Sequence, residues 1–132
     1  RAPMTGPVEY FRYIPGEFIV ASDPESTHRN ERAVIGMTSH GHRLLFQQVT
    51  GYIARRIVCP VKEGDTLKAG ERFGMIKFGS RCDVIFGPEW RIEVTPGMRV
   101  SAGSSILARR GGAVEIPLRA AVGEKEATAW QT

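Results

Sequence analysis

Short apolar runs rich in β-branched and aromatic residues fill the first 110 positions, and turn-forming residues separate them. Pro15-Gly16, Glu63-Gly64-Asp65 and Pro96-Gly97 are examples of these turns. A polar stretch at residues 22–32 predicts a surface loop with at most one helical turn. The pattern as a whole predicts a mainly β domain. Nine runs have the length and composition of strands: residues 8–13, 17–21, 33–38, 43–49, 52–59, 72–78, 82–86, 90–94 and 105–109.

A pattern of glycine turns occurs twice, with corresponding positions 33 residues apart. Each copy has a strand end, a glycine turn, one inward apolar residue, an Ala-Gly turn and the next strand. The arrangement resembles the two halves of biotinyl and lipoyl carrier domains, which implies a β-sandwich of pseudo-repeated hairpins about a pseudo-twofold axis. The corresponding pairs are Gly64 and Gly97, Leu67 and Val100, Gly70 and Gly103, and Phe73 and Ile106.

The composition limits the class of protein. A chain of 132 residues, 42% hydrophobic and 24% charged, suits one ordinary domain. The net charge of +4 is spread along the chain, so nucleic-acid binding is not expected, and a mildly basic solvated surface is the simplest interpretation. Two cysteines, Cys59 and Cys82, make no disulfide framework, which is typical of a reduced cytoplasmic protein. No apolar run approaches the ~20 residues that span a bilayer.

The two ends of the chain differ from its centre. The chain begins with Arg1 and not with methionine, from which we expect an upstream segment that was removed or omitted. After residue 109 the composition shifts to Ala, Glu and Gly. We therefore predict a single domain at residues 1–109 and a flexible tail at residues 110–132.

Gly79-Ser80 is the dipeptide for which a chemical reaction is most strongly indicated, because two β-rich runs flank it without an intervening turn cluster. Glycine adopts backbone angles closed to other residues, and strained bonds concentrate at reactive sites. A hydroxyl beside a strained glycyl carbonyl can attack that carbonyl, which turns the amide into an ester at which the chain can break. A plain serine in a β-bulge is the alternative.

Several short motifs resemble the phosphatidylserine decarboxylase family, especially its short form. They keep the family's order and extend over residues 1–108. The resemblance implies self-cleavage between Gly79 and Ser80 into residues 1–79 and 80–132, with Ser80 becoming a pyruvoyl group. The motifs are Arg1-Ala2-Pro3 with Gly6 and Val8, Gly16-Glu17-Phe18, Asn30-Glu31-Arg32, Ile53-Ala54-Arg55-Arg56-Ile57-Val58, Gly70-Glu71-Arg72-Phe73-Gly74-Met75-Ile76, Phe78-Gly79-Ser80-Arg81-Cys82-Asp83-Val84, and Gly97-Met98-Arg99-Val100 with Ala102-Gly103.

The implied function is decarboxylation of phosphatidylserine to phosphatidylethanolamine by this zymogen-derived lyase. After the acyl shift, elimination would leave dehydroalanine, which hydrolyses to the pyruvoyl group and ammonia. The ketone would form a Schiff base with the substrate amine and accept the electrons that carbon dioxide leaves behind. The resemblance also implies an aminophospholipid substrate met at the membrane surface, continued association of the two cleaved chains, and peripheral attachment on the cytoplasmic side.

One departure from the family pattern is serious. The family uses an aspartate and a histidine with the serine, and both lie upstream of the Arg-Ala-Pro motif that here begins at Arg1. His28, His40 and His42 do not match the histidine's position. Either the protein is longer or this form cannot process itself, so an inactive, unprocessed homologue stays open.

Four basic residues are candidates for holding the substrate's phosphate or carboxylate: Arg55, Arg56, Lys77 and Arg81. Alternation along an apolar strand would place Arg55 and Arg56 on opposite faces, and an edge-strand charge is an equal alternative. Asp83 is expected to be the local partner of an arginine, and Cys82 a small buried hydrophobe.

Other functions have weaker support in the sequence. His40-Gly41-His42 is expected to be a hairpin turn rather than half of a metal site, so no metal is predicted. A related pyruvoyl enzyme could act on another headgroup, such as archaetidylserine. A biotinyl- or lipoyl-like carrier or binding module is a further alternative, although Lys62 and Lys68 lack the Met-Lys-Met setting of a carrier.

Overall fold

The computed structural model describes residues 1–53, 55–78 and 81–110. The predicted cleavage site, Gly79-Ser80, and all of the predicted flexible tail at residues 110–132 except Arg110 lie outside the described residues. The mainly β prediction is confirmed. The elements are β1 (Gly6–Ile14), α1 (Ser26–Arg29), β2 (Arg32–Ser39), β3 (His42–Val49), β4 (Ile57–Val58), β5 (Thr66–Leu67), β6 (Met75–Ile76), β7 (Arg81–Phe86), β8 (Trp90–Ile92) and β9 (Ala108–Arg110).

The main sheet has five antiparallel strands in the order β5-β1-β2-β3-β7, and it curls into a half-barrel. Strands β2 and β3 form a hairpin, with Ser39 paired to His42 across a two-residue turn. Both turn residues have positive φ, 48° at His40 and 80° at Gly41, which matches the twist that short hairpins require. The expected hairpin turn at His40-Gly41-His42 is therefore confirmed.

The hydrophobic core lies inside this curl. Ile35 and Met37 from β2 and Phe46 from β3 are almost completely buried. The Phe46 ring meets the Phe73 ring edge to face, with 4.9 Å between the centroids. Leu67 of β5 packs into the same cluster. The segment that leads towards Gly79-Ser80 is thus anchored to the sheet through Phe73.

Five predicted strands differ from the structure. Those at residues 90–94 and 105–109 are observed as the shorter strands Trp90–Ile92 and Ala108–Arg110. Residues 17–21 form no strand, and a single parallel bridge joins Glu17 to Asn30. Of the predicted strands at residues 52–59 and 72–78, only the pairs Ile57–Val58 and Met75–Ile76 remain. The reason at residues 17–21 is that the buried side chain of Asn30 bonds both backbone groups of Ile19, in place of a strand partner.

The predicted repeat is confirmed in its turns and wrong in its packing. Gly64, Gly70, Gly97 and Gly103 all have positive φ, between 79° and 92°. In the first copy Leu67 is 6% exposed and pairs with β1, but Val100 at the corresponding position is 51% exposed. The difference arises because no described strand pairs with the second copy at that position. Phe73 and Ile106 differ in the same way.

Candidate functional site

The described chain leads into the candidate site from both sides. Phe78 has a φ of 65° and is 80% exposed. Positive φ costs a residue with a large side chain about 1–2 kcal/mol, because Cβ approaches the carbonyl oxygen. On the far side, Arg81 is the first residue of β7 and pairs with Val49 of β3. Backbone strain therefore lies directly before the predicted cleavage site, and a regular sheet begins directly after it.

Hydrogen bonds bring the Arg55-Arg56 segment to the upstream side of the site. Strands β4 and β6 pair, and the N–H of Lys77 donates to the carbonyl of Arg56 over 3.3 Å. Neither arginine lies in a strand, so the predicted placement on opposite faces of a strand is wrong. The reason is that β4 is short and begins only at Ile57.

The side chain of Arg55 is partly engaged by its own neighbourhood. Its Nε donates to the carbonyl of Tyr52 over 3.0 Å. The guanidinium carbon lies 5.7 Å from the centre of the Phe18 ring and 5.5 Å from that of Tyr52, within cation–π range. For Arg56 and Lys77, no side-chain hydrogen bond or ion pair occurs within the described part of the chain. Of the four basic candidates, these two have no side-chain partner among the described residues.

Asp83 organises the downstream side. Its Oδ1 accepts a hydrogen bond from Arg81 Nε at 2.6 Å. Its Oδ2 accepts from Gln47 Nε2 at 3.0 Å and from Thr27 Oγ1 at 3.2 Å. The prediction that Asp83 is the local partner of an arginine is confirmed. This carboxylate ties β7 to β3 and to α1.

Arg81 is held at further points, which limits its predicted role in binding substrate. Its Nη1 lies 3.4 Å from the carbonyl of Asp23 and 3.4 Å from Ser26 Oγ. Ser26 is completely buried and donates to the carbonyl of Ala21. The predicted surface loop at residues 22–32 does contain one helical turn, α1, but this turn is anchored in the protein and faces the start of β7.

Several residues of the site were not singled out from the sequence. Gln47 and Gln48 are buried in β3 opposite Asp83 and Cys82. Two consecutive glutamines at the end of an otherwise apolar strand were the available signal. Cys82 is exposed, so its predicted burial is wrong, because β7 is the edge strand of the main sheet.

The described residues offer two further observations on ligands and membranes. No three His, Cys, Asp or Glu side chains group there in a way that could hold a metal ion. His42 instead lies 3.8 Å from Glu89 and meets the Trp90 ring edge-on. In the same part of the chain, no helix has the length and apolar character to cross a bilayer.

Comparison with known proteins places these features in a family. A family model described as phosphatidylserine decarboxylase matches residues 1–108. The chain is 51% identical over 110 residues to the phosphatidylserine decarboxylase proenzyme of Solibacter usitatus, covering 83% of this chain and 54% of that protein. It is 48% identical over 109 residues to the proenzyme of the same name from Chlorobium phaeovibrioides, covering 83% and 50%.

The same description applies to a more distant relative. The phosphatidylserine decarboxylase proenzyme of Salinibacter ruber is 41% identical over 110 residues, covering 83% of this chain and 48% of that protein. The chain thus spans about half the length of the curated relatives it matches. No solved structure matches it. On the extent of these matches, the chain belongs to the phosphatidylserine decarboxylase family.

Proposed function

We propose that these residues belong to an enzyme that decarboxylates phosphatidylserine to phosphatidylethanolamine, after self-cleavage between Gly79 and Ser80. Residues 80–132 would then form the smaller chain, with the pyruvoyl group made from Ser80 at its head. The observation that carries the proposal is the family match over residues 1–108, which includes the Phe78 to Asp83 motif. The word proenzyme in the names of the relatives supports a processed chain.

The residues around Gly79-Ser80 fit a pyruvoyl group in their chemistry. A serine supplies the three carbons and the hydroxyl, and Phe78 directly upstream has a strained backbone. The group itself supplies a ketone that acts as an electron sink for the substrate's amino acid headgroup. The described residues on the two sides of this dipeptide are the strained Phe78 and Arg81, which is anchored at the start of β7.

The charges near this segment support a headgroup that carries phosphate and carboxylate. Residues 51–58 and 73–78 contain cations and no carboxylate. We assign the anion-binding role first to Arg56 and Lys77, whose backbones are joined by a hydrogen bond. Arg55 and Arg81 would contribute less, because their guanidinium groups already donate within the chain.

Exposed apolar side chains near the same cations support a substrate met at the membrane surface. Tyr52 and Ile53 are 62% and 76% exposed, and Phe78 is exposed to a similar extent. Apolar side chains beside cations suit the interface of an anionic bilayer. Each cation near the surface contributes about 1 kcal/mol to the binding free energy. We propose peripheral attachment on the cytoplasmic side. Ile53→Ser should weaken binding to phosphatidylserine vesicles in sedimentation, and undiminished binding would contradict this placement.

The two chains are proposed to stay together after cleavage. Strand β7 pairs with β3 over six residue pairs, from Arg81 with Val49 to Phe86 with Leu44. Gln47 and Thr27 on one side of the break also bond Asp83 on the other. These contacts do not depend on the Gly79-Ser80 bond, which supports a stable association of the cleaved chains.

The test uses the complete natural proenzyme that contains these residues. Its intact mass should show two chains that meet at Gly79-Ser80, with a keto group in place of the new amino terminus. Borohydride with phosphatidylserine present should fix the headgroup to the smaller chain. Ser80→Ala should give one chain without activity, because no hydroxyl remains to attack. Decarboxylation by an uncleaved chain, or a headgroup fixed to a lysine, would overturn the proposal.

A further inference from the structure

The start of β7 is held by side chains as well as by the sheet. Arg81 occupies the last position of the β3–β7 ladder, next to Ser80. Its side chain bonds Asp83 and approaches the loop before α1 at the Asp23 carbonyl. Once the bond before Ser80 is broken, as the proposed function requires, the covalent link from the new terminus to the rest of the smaller chain runs through Arg81. Contacts that restrain Arg81 therefore also restrain the position of the reacting group.

Asp83 is the common partner in this arrangement. Its two carboxylate oxygens have different hydrogen-bond partners. Oδ1 accepts from Arg81, and Oδ2 accepts from Gln47 and Thr27. Its side chain is 17% exposed, compared with 33% for that of Arg81. Because Gln47 lies on β3 and Thr27 on α1, the carboxylate cannot turn without losing a partner on one of them. The Arg81 side chain is held by a group that is itself fixed on both sides.

We propose that Asp83 is a positioning residue, which holds the pyruvoyl-bearing end of the smaller chain in its working place through Arg81. This inference rests on the proposed function and extends it to a residue that does not touch the reacting atoms. Displacements of about 1 Å in a reacting group can lower the rate on the order of 100-fold. Loss of Asp83 should therefore lower kcat. Arg56 and Lys77, to which the main part in binding the headgroup is assigned, are unchanged, so KM should change little.

The experiment compares Asp83→Asn with the parent in the complete proenzyme. The number of active termini is counted with a carbonyl reagent, and kcat per terminus and KM are measured on phosphatidylserine in detergent micelles. We expect kcat to fall roughly 10- to 100-fold with KM within about twofold of the parent value. In Asp83→Glu, which keeps the charge, part of the kcat should return. A merely structural role would lower the melting temperature or the number of termini and leave kcat per terminus unchanged.

The chain offers a matched control. Arg91 and Glu93 form a pair with the same spacing, and Arg91 Nε and Nη2 lie 2.8 and 2.6 Å from the carboxylate. Glu93→Gln removes that charge without touching β7, so its kcat and KM should equal those of the parent. Arg81→Met combined with Asp83→Asn should lose no more than the larger single loss, because the two residues act as a unit.

The outcomes separate this inference from the proposed function. A parent protein without a reactive carbonyl means that the proposed function fails. A parent with one, together with an Asp83→Asn variant of normal kcat per terminus or of raised KM alone, overturns only the role of Asp83. If Asp83→Asn is not cleaved, Thr27→Val decides, since it removes a single bond to Oδ2. It should lower kcat several-fold without a change in KM, and a parental kcat in this variant would also overturn the role.

Discussion

Replacing Asn30 by alanine should destabilise the protein more than any exposed substitution nearby. The Asn30 side chain is completely buried and makes three hydrogen bonds to backbone groups. Oδ1 accepts from the N–H of Ile19 at 3.0 Å, and Nδ2 donates to the carbonyls of Ile19 and Thr50, both at 2.8 Å. The alanine variant removes all three at once.

The magnitude follows from where these groups lie. One hydrogen bond contributes about 1 kcal/mol net to the stability of a protein, and a buried polar group left without a partner costs about 1–3 kcal/mol. Ile19 is only partly buried, so water can replace its bonds in part, but Thr50 is completely buried. We therefore expect a loss of about 3 kcal/mol in the free energy of unfolding, measured by urea titration followed by tryptophan fluorescence.

Glu17→Gln is the matched control, because it loosens the same loop from the outside. Its ion pair with Arg29 has a length of 2.8 Å, and both side chains are about half exposed. Such pairs contribute about 0–1 kcal/mol. An Asn30→Ala variant no less stable than Glu17→Gln would refute the argument that Asn30 takes the place of a strand partner for residues 17–21.

In an Asn30→Asp variant, the free energy of unfolding relative to the parent should depend on pH in a direction that can be predicted. A buried carboxylate at this position would face the two carbonyl oxygens that Nδ2 now bonds, so its pKa in the folded protein should rise above the ordinary value. The neutral acid can donate to one carbonyl and is tolerated at low pH. The loss of stability relative to the parent should therefore grow as pH rises from about 4 to 7, and a flat difference across this range would contradict the expectation.

Two further predictions concern Tyr13 and Phe78. Burial, the hydrogen bond to Glu31 and the charge of Glu31 together raise the pKa of Tyr13 to about 12, with burial the largest cause. The stability this gives is present below pH 10 and lost as pH rises towards 12, so Tyr13→Phe should remove a late step from the phenolate absorbance titration; an unchanged titration would contradict it. Phe78→Gly should relieve the positive φ and slow chain cleavage several-fold in a time course after translation, whereas cleavage at the parental rate would show that the strain plays no part.

Most strands of the main sheet and the glycine turns could be predicted from the sequence, because the local order of apolar, polar and glycine residues determines them. The predicted strands at residues 8–13, 33–38, 43–49 and 82–86 all lie within observed strands, and the repeated glycines all adopt the positive φ that only turns require. These features depend on backbone geometry and on which residues face the core, and both leave a periodic trace in the sequence.

The side-chain contacts of the candidate site correspond to no periodic pattern in the sequence. Asp83 bonds Gln47 and Thr27, which are 36 and 56 residues away, and nothing in the local sequence specifies such pairings. The predicted strand at residues 17–21 failed for the same reason, since Asn30 bonds Ile19 from outside the run. Side chains that replace backbone partners change the structure of segments whose own composition favours a strand.

The ladder between β3 and β7 has a consequence for the order of folding and cleavage. Before the chain breaks, the two strands belong to one polymer, and their pairing is an intramolecular step. After the proposed cleavage at Gly79-Ser80, the same six pairs would join two molecules, so unfolding would release separate fragments whose reunion depends on concentration. Dilute processed enzyme should therefore refold poorly after denaturation, while its Ser80→Ala precursor refolds at a rate independent of dilution. If the proposed cleavage takes place, the protein folds once as a single chain, and its later stability is that of a fragment complex.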